Sequence, residues 1–531
     1  MKNLLKKIMI TGIVALSLGS CSEEFLDTVT IGAQSEDSFY ASDADLIQAS
    51  TAIYAPLWQY HYNWGRTTFN NQTTDDAVDR ELLQYQDYTF DSGHFLFRYN
   101  WRYNYRGILI ANKLLENVEG VDKPLVSDKQ LQKRVVAEAK FLRAWYYYDL
   151  VKNYGAVPLT TEPLLQDDMN LERTPAIEVY AQIEKDLLEA KEDLPLKSEL
   201  DASDRGRVTK GAALALLVKV NVTQASPGYV GQDFHNASKY GDAKIYAEQF
   251  FQLGYSLYQG NYNDIFTIEG EDGSGSIFEI QYYISPTANE HPKSGNGNFN
   301  TFLMMPWYGG GDPYGKYMVT YDLYSAFEDG DPRREASLYN VYEQADAWDG
   351  PGGIEGPDVK ADHASFVNRK HWMDQSTYSG LVRNSPINER MMRLSDIYLL
   401  YAEACLNTGD DANALEYVNQ IRSRARGAGI VPANLNAVTL EDVYQERRVE
   451  LCNEGQRRHD LVRLGILEKE LSVDGYIAKA VVTPDGKDDF DIVPGEVFRA
   501  SALVPSTHMY FPIPLGEIDN TNGVVVQNPG Y

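Results

Sequence analysis

Apolar positions recur every three to four residues through most of the first half of the chain, and recognisable caps bound several of the periodic segments. Ser42 with Asp45 forms a capping-box pattern that opens a helix running to about Tyr60. Ser127 with Gln130 opens another, in which Leu131, Val135, Leu142, Trp145 and Tyr146 fall at helical spacing. Thr174-Pro175 places a cap before a proline at the first helical position, and Pro195 stops that helix. Further helical periods lie near 98–118, 209–225 and 240–253, the last ended by Gly254. The period returns at 394–408, 411–426 and 439–454, separated by Gly409 and by Gly427 with Gly429. Ala402 and Ala414, twelve apart on consecutive helices, match the small-residue spacing of a tetratricopeptide hairpin, where close helix crossing leaves no room for a larger side chain.

Between about 255 and 393 glycine, proline and aromatic residues replace the helical period, except around 319–328. The stretch SIFEIQYYI, 276–284, predicts a strand, being rich in β-branched and aromatic residues and flanked by glycine and proline. The expected architecture is mostly α: a helical scaffold over 41–254 and 394–465, an irregular aromatic and glycine-rich insert with short strands over 255–393, and a loop-rich segment over 466–531 packing on the scaffold.

The first forty residues follow another pattern. Lys2, Lys6 and Lys7 precede an apolar run, Ile8 to Leu18, of secretory-leader length and too short to span a bilayer. Its end, Leu18-Gly19-Ser20-Cys21, resembles a bacterial lipobox, which predicts a signal peptide over 1–20 and lipidation of Cys21. Ser22, Glu23 and Glu24 resemble the acidic signal that sends such lipoproteins to the outer face of the outer membrane, and 21–40 reads as a flexible leash. No later run is apolar enough to cross a membrane.

Charge and composition narrow the partner. A formal charge of −28 disfavours nucleic acid or a polyanion, because phosphate binding is driven by Lys and Arg, and favours a neutral or cationic ligand. Cys405 and Cys452 lie in helical patterns, where cysteine behaves as a small buried hydrophobe; a disulfide between them stays open. The 37 tyrosines and 7 tryptophans supply rigid amphipathic rings suited to polar-tolerant contacts.

The most catalytic-looking segment holds Glu446, Arg447, Arg448, Glu450, Glu454, Arg457, Arg458, His459 and Asp460. Its acids share a helix face, with Arg447 to Glu450 and Glu454 to Arg458 at pairing distance. Acids matched by arginines are held ionised, whereas a glycosidase acid needs a raised pKa, so a structural ion-pair network is expected. GGDPYGK, 310–316, approaches a phosphate loop, but Tyr317 stands where Ser or Thr would hold the metal. The eight histidines form no metal-ligand motif, and EGEDGSGS, 269–276, lacks calcium-loop spacing; no cofactor or metal is expected. Aromatics are the better candidates, since a sugar offers apolar C–H faces to a flat ring. Trp307, with Tyr308 beside it, lies in the glycine-rich PWYGGGDPYG, where a large ring has little structural use; Trp64 and Trp372 are lesser candidates.

Four stretches together resemble the SusD/RagB family of outer-membrane nutrient-binding lipoproteins: DLYSAFEDGDPRR (322–334), RLSDIYLLYAEACLNTGD (393–410), ERRVELCNEGQRRHDLVRLG (446–465) and FPIPLGEIDNTNGVVVQNPGY (511–531). The resemblance implies four tetratricopeptide-like helix hairpins forming a superhelical scaffold. It also implies a non-catalytic role as glycan-capturing lid of a SusC-like TonB-dependent outer-membrane transporter, binding an oligosaccharide or polysaccharide. By the pattern of the family's starch-binding founder, Trp101 and Asn104 resemble one arm of a carbohydrate site, with Arg80 upstream, and Tyr283 with Trp307 the other; Trp101 shares a face with Tyr105, Ile108 and Asn112, so a core role stays equally open. A receptor for a peptide, glycoprotein or other non-glycan nutrient, a mainly structural lid, and a glycoside hydrolase remain alternatives.

Overall fold

The computed structural model describes residues 39–79, 82–121, 126–164, 170–282, 298, 317–340, 366–371, 385–472, 475–482, 490–498 and 500–531. Helix α1 (Asp43–Tyr54) opens on the expected capping box: the Ser42 hydroxyl accepts from the Asp45 amide while Asp45 Oδ2 accepts from the Ser42 amide at 2.9 Å. Helix α2 (Tyr60–Thr67) continues into a π-helical turn, Thr68–Gln72, and is followed by the short strand β1 (Ala77–Asp79). Two long helices come next, α3 (Phe95–Val118) and α4 (Lys129–Tyr154). The cap of α4 is Asp128, not Ser127: Asp128 Oδ1 accepts from the Gln130 and Leu131 amides, and Ser127 turns its hydroxyl to Asp43. A carboxylate satisfies two orphan donors where a hydroxyl satisfies one, and it wins the position.

Helix α5 is Ala176–Asp193, α6 Lys210–Ala225 and α7 Lys239–Phe251. Pro175 sits at the cap of α5 rather than inside it, and Thr174 forms an isolated bridge with Val157. Helix α6 is buried from Gly211 to Ala225, with an apolar period that fades because every face is covered. After α7 come β2 (Ser276–Ile280), β3 (Tyr317–Val319), α8 (Tyr321–Ala326), α9 (Pro332–Ser337), β4 (Leu338–Asn340), β5 (Phe366–Asn368) and β6 (Glu389–Arg393). The helical pattern resumes with α10 (Leu394–Asn407), α11 (Asp411–Arg426) and α12 (Leu440–Leu451), then α13 (Arg457–Arg463). Helix α12 stops before Gly455: Cys452 is extended and Asn453 takes a positive φ of 61°. A hairpin, β7 (Gly475–Val482) with β8 (Phe490–Phe498), and a short helix α14 (Leu515–Asn520) complete the chain; the sequence pattern had placed no strands there.

The helices pack as consecutive neighbours, α3 on α4, α4 on α5, α5 on α6 and α6 on α7, and α7 then packs directly on α10, which pairs with α11 and α12. The scaffold therefore runs on across the insert. Antiparallel pairing of β2 with β6, Ser276 opposite Arg393 and Ile280 opposite Glu389, brings the insert's two ends together. Its remaining strands join β1 in an antiparallel sheet of order β1-β3-β5-β4. Ala402 and Ala414 are fully buried, and Gly409 between their helices has a φ of 78°, which glycine adopts without strain. At the α3–α4 crossing Gly107 lies against Tyr146, where an added Cβ would stand 2.1 Å from the ring. Cys405 and Cys452 are both buried and free. No described helix is long and apolar enough to cross a membrane.

Candidate functional site

The charged positions of 446–460 lie in the interior. Glu450 meets three guanidinia, Arg424 at 2.5 Å and Arg393 and Arg333 each at 3.2 Å. Glu446 bridges Arg333 and Arg422, and Glu454 bridges Arg393 and Lys370. Burial alone would raise the Glu450 carboxyl, but the surrounding cations outweigh it and hold it well below the usual carboxylate range. Arg447 turns to Asp396 and Asp460, and Arg458 donates to the Tyr88 hydroxyl and the His508 carbonyl, so the short-range pairs suggested by spacing, Arg447 with Glu450 and Glu454 with Arg458, give way to long-range ones. An ionised, buried and fully paired acid cannot donate a proton to a glycosidic oxygen.

Glu271 is a carboxyl that burial pushes up, to about 7. It accepts from the Asn388 amide at 2.8 Å, and the cavity nearby, lined by Gly270, Glu279 and Arg390, has about 20 Å³, room for a water and not for a sugar ring. No group of three or more metal-ligating side chains occurs among the described residues.

The network's far side is a polar segment that is nonetheless interior. Every residue from Gly65 to Asp79 is buried. Arg457 binds Asp75 and Arg448 binds Asp76, while Gln72 donates to Asp79 and Thr320 to the Asp75 carbonyl. Polar side chains can be interior here because each brings or finds a partner.

Of the expected carbohydrate contacts, Arg80, Tyr283, Trp307 and Tyr308 lie outside the described residues, as do Cys21 and Trp372. Trp101 and Asn104 are described, and both are interior. Asn104 is fully buried, its amide donating to Asp149 at 2.9 Å and to the Asn100 carbonyl at 2.9 Å; Tyr62, Asn100, Asn153 and Lys152 also contact the Asp149 carboxylate. Trp101, 4% exposed, packs edge-on to Tyr154. The tryptophan follows its alternative as a core residue, since its helix face is the one turned to α4 and the C-terminal segment.

Half-exposed rings gather instead on the neighbouring face of α3 and on α2. His61 stacks on Tyr99 with centroids 4.1 Å apart, and Tyr99 stacks on Tyr103 at 5.9 Å. Phe95 meets His61, Tyr99 and Trp64 edge-on, and Trp64 meets Tyr60. The cause is spacing: Phe95, Tyr99 and Tyr103 are one turn apart on α3, and Tyr60 and Trp64 are one turn apart on α2. Only Trp64 of this ladder stood out in the sequence; the i, i+4 aromatic repeat was the signal for the rest. At the ladder's edge the Tyr282 hydroxyl accepts from Asn63 at 2.9 Å, so the chain enters the segment beginning at 283 beside α2.

The SusD family model matches residues 265–531, and a second, described as starch-binding associating with outer membrane, matches 24–222. The chain belongs to the SusD family. The SusD-like protein P2 of Formosa agariphila is 26% identical, the match covering 99% of this chain and 100% of that one. The starch-binding protein SusD of Bacteroides thetaiotaomicron is 24% identical over 82% of this chain and 79% of its own. Among solved structures, a laminarin-binding SusD-like protein superposes with a TM-score of 0.72 at 25% identity, covering 92% of this chain and 99% of that chain. A SusD homolog from Bacteroides thetaiotaomicron reaches 0.75 at 24%, covering 93% and 98%, a likeness of fold. The mostly helical SusD-like architecture expected from the sequence is thus the one observed.

Proposed function

We propose that this SusD-family chain is a surface lipoprotein, anchored to the outer membrane through Cys21, that binds an oligosaccharide or polysaccharide and acts as the capture subunit and lid of a SusC-like TonB-dependent transporter. It carries out no chemistry on the glycan. The observation that carries this reading is the ladder of half-exposed rings on α2 and α3. Flat rings near the surface suit the apolar faces of sugars, and the acids Glu446, Glu450 and Glu454 are held by guanidinia in the interior. Trp307, Tyr308 and Tyr283 form the second arm of the site in this proposal, on the segment that leaves from the ladder's edge, and Arg80 lies upstream of the first. Tethering keeps ligand and transporter at high effective concentration, so modest affinity suffices for import.

The test is affinity electrophoresis of residues 22–531 through gels containing neutral and acidic plant, fungal and host polysaccharides, with Trp307→Ala beside the native chain. Retardation by a glycan that keeps its length, reduced about tenfold in affinity (~1.4 kcal/mol) by the substitution, supports the reading. Free migration through every gel, or release of new reducing ends, overturns it. Loss of outer-membrane fractionation in Cys21→Ser tests the anchor, and co-purification with a transporter tests the lid.

A further inference from the structure

Between the aromatic ladder and a groove on the other side of α3 runs a row of arginines, Arg98, Arg102 and Arg106, all exposed and each one turn from the next. The row spans about 12 Å. None of the three forms a hydrogen bond or ion pair with a described residue; Arg98 lies over the Tyr99 ring at 5.2 Å, and Arg102 is close enough to Glu517 to steady its charge. The helix supplies no acid either. Positions three and four residues from each arginine hold histidine, aromatic or aliphatic residues, or another arginine.

This is unusual for the molecule. It has 76 acidic residues for 48 basic ones, and Arg333, Arg393, Arg424, Arg447, Arg448 and Arg463 are all paired with carboxylates. Like charges at i, i+4 cost a helix about 0.2–0.5 kcal/mol per pair, so the row opposes the stability of α3. The groove beside it has a volume of about 550 Å³, a size suited to a small ligand, and is lined by Trp101, Tyr105, Ile108 and Leu109 together with Glu162 and Glu517.

We propose that this face takes an acidic oligosaccharide bearing uronic-acid carboxylates, which pair with Arg102 and Arg106, and with Arg98 in longer chains, while the groove seats apolar sugar faces. Arginine's planar fork matches a carboxylate bidentately. Glu162 and Glu517 set an upper limit on the ligand's charge density, which favours a glycan with one carboxylate per sugar over a heavily sulfated one. The inference deepens the proposed function and rests on the chain being a glycan receptor.

The experiment uses residues 22–531 with polygalacturonate, the same polymer fully methyl-esterified, heavily sulfated heparin, and neutral laminarin and starch, by affinity electrophoresis and calorimetry at 50 and 200 mM salt. The expected result is binding of polygalacturonate that weakens with salt, is lost on esterification, and falls at least tenfold in Arg102→Gln/Arg106→Gln with no loss of melting temperature. Arg102→Lys should retain part of it, because charge stays while the fork is lost. Polygalacturonate binding that ignores the double variant, or preference for heparin, overturns the assignment. Binding of laminarin or starch alone overturns it and leaves the receptor reading standing, whereas no binding to any glycan removes both.

Discussion

The imidazole of His61 lies flat on the ring of Tyr99, their planes 12° from parallel and their centroids 4.1 Å apart, joining α2 to α3 through two half-exposed side chains. Stacking of this kind contributes about 0.5–1.5 kcal/mol beyond area burial. Tyr99→Leu keeps the apolar volume and removes the stack, so unfolding in urea should show a loss of about 1 kcal/mol. Retention of the protein by its glycan in affinity gels should fall far more, and an unchanged retention would remove the ladder from the site.

Asn104 predicts the opposite split. Its amide is committed to Asp149 and the Asn100 carbonyl inside the protein. Asn104→Leu leaves the Asp149 carboxylate short of a donor and should cost about 1–3 kcal/mol in urea titration. The affinity of the folded fraction for glycan, measured by calorimetry, should stay as in the native chain.

Glu450 compensates Arg333, Arg393 and Arg424 at once. Its removal leaves clustered buried guanidinia, and breaking such a buried arrangement typically costs about 3–5 kcal/mol. Glu450→Ala should therefore unfold at markedly lower denaturant than the native chain; a shift of a few tenths of a kcal/mol would mean that water reaches the cluster.

His508 sets a pH dependence. It is buried against the rings of Tyr88, Phe90 and Tyr531, and burial together with the Arg458 guanidinium pushes its pKa down to about 4. Between pH 6.5 and 4 the unfolded chain then binds a proton that the folded one refuses, so this residue's contribution to stability declines as pH falls through that window. His459, buried and held neutral in the same way, adds to the decline. Melting temperatures followed from pH 7 to 4.5 should fall less steeply in His508→Gln than in the native chain, and equal slopes would show that His508 titrates normally.

The scaffold was readable where local chemistry and tertiary packing agree. Ser42 and Asp45 cap α1 as their spacing suggests, and Ala402 and Ala414 meet where small residues are needed. The choice of Asp128 over Ser127 turned on which side chain another element, Asp43, would claim, and adjacency in sequence is silent on that. Asn104 shows a related limit: its resemblance to a carbohydrate contact rests on residue type and spacing, and only the buried Asp149 on another helix makes its interior place favourable. The run from Thr67 to Asp79 shows the same limit on a larger scale, because its partners, Arg448 and Arg457, lie hundreds of residues away. Net charge is silent on local clustering, since the total of −28 averages over the row Arg98, Arg102 and Arg106.

The pairing of β2 with β6 and the direct seating of α7 on α10 make the long excursion between them a detour that starts and finishes at one point. Part of that detour is nevertheless fastened to the stack, since Arg333 and Lys370 enter the cluster around Glu450 and Glu454 and Thr320 holds the Asp75 carbonyl. A lineage, or an engineer, that exchanges the recognising residues for another diet keeps those anchors, and the helices then go on assembling as before.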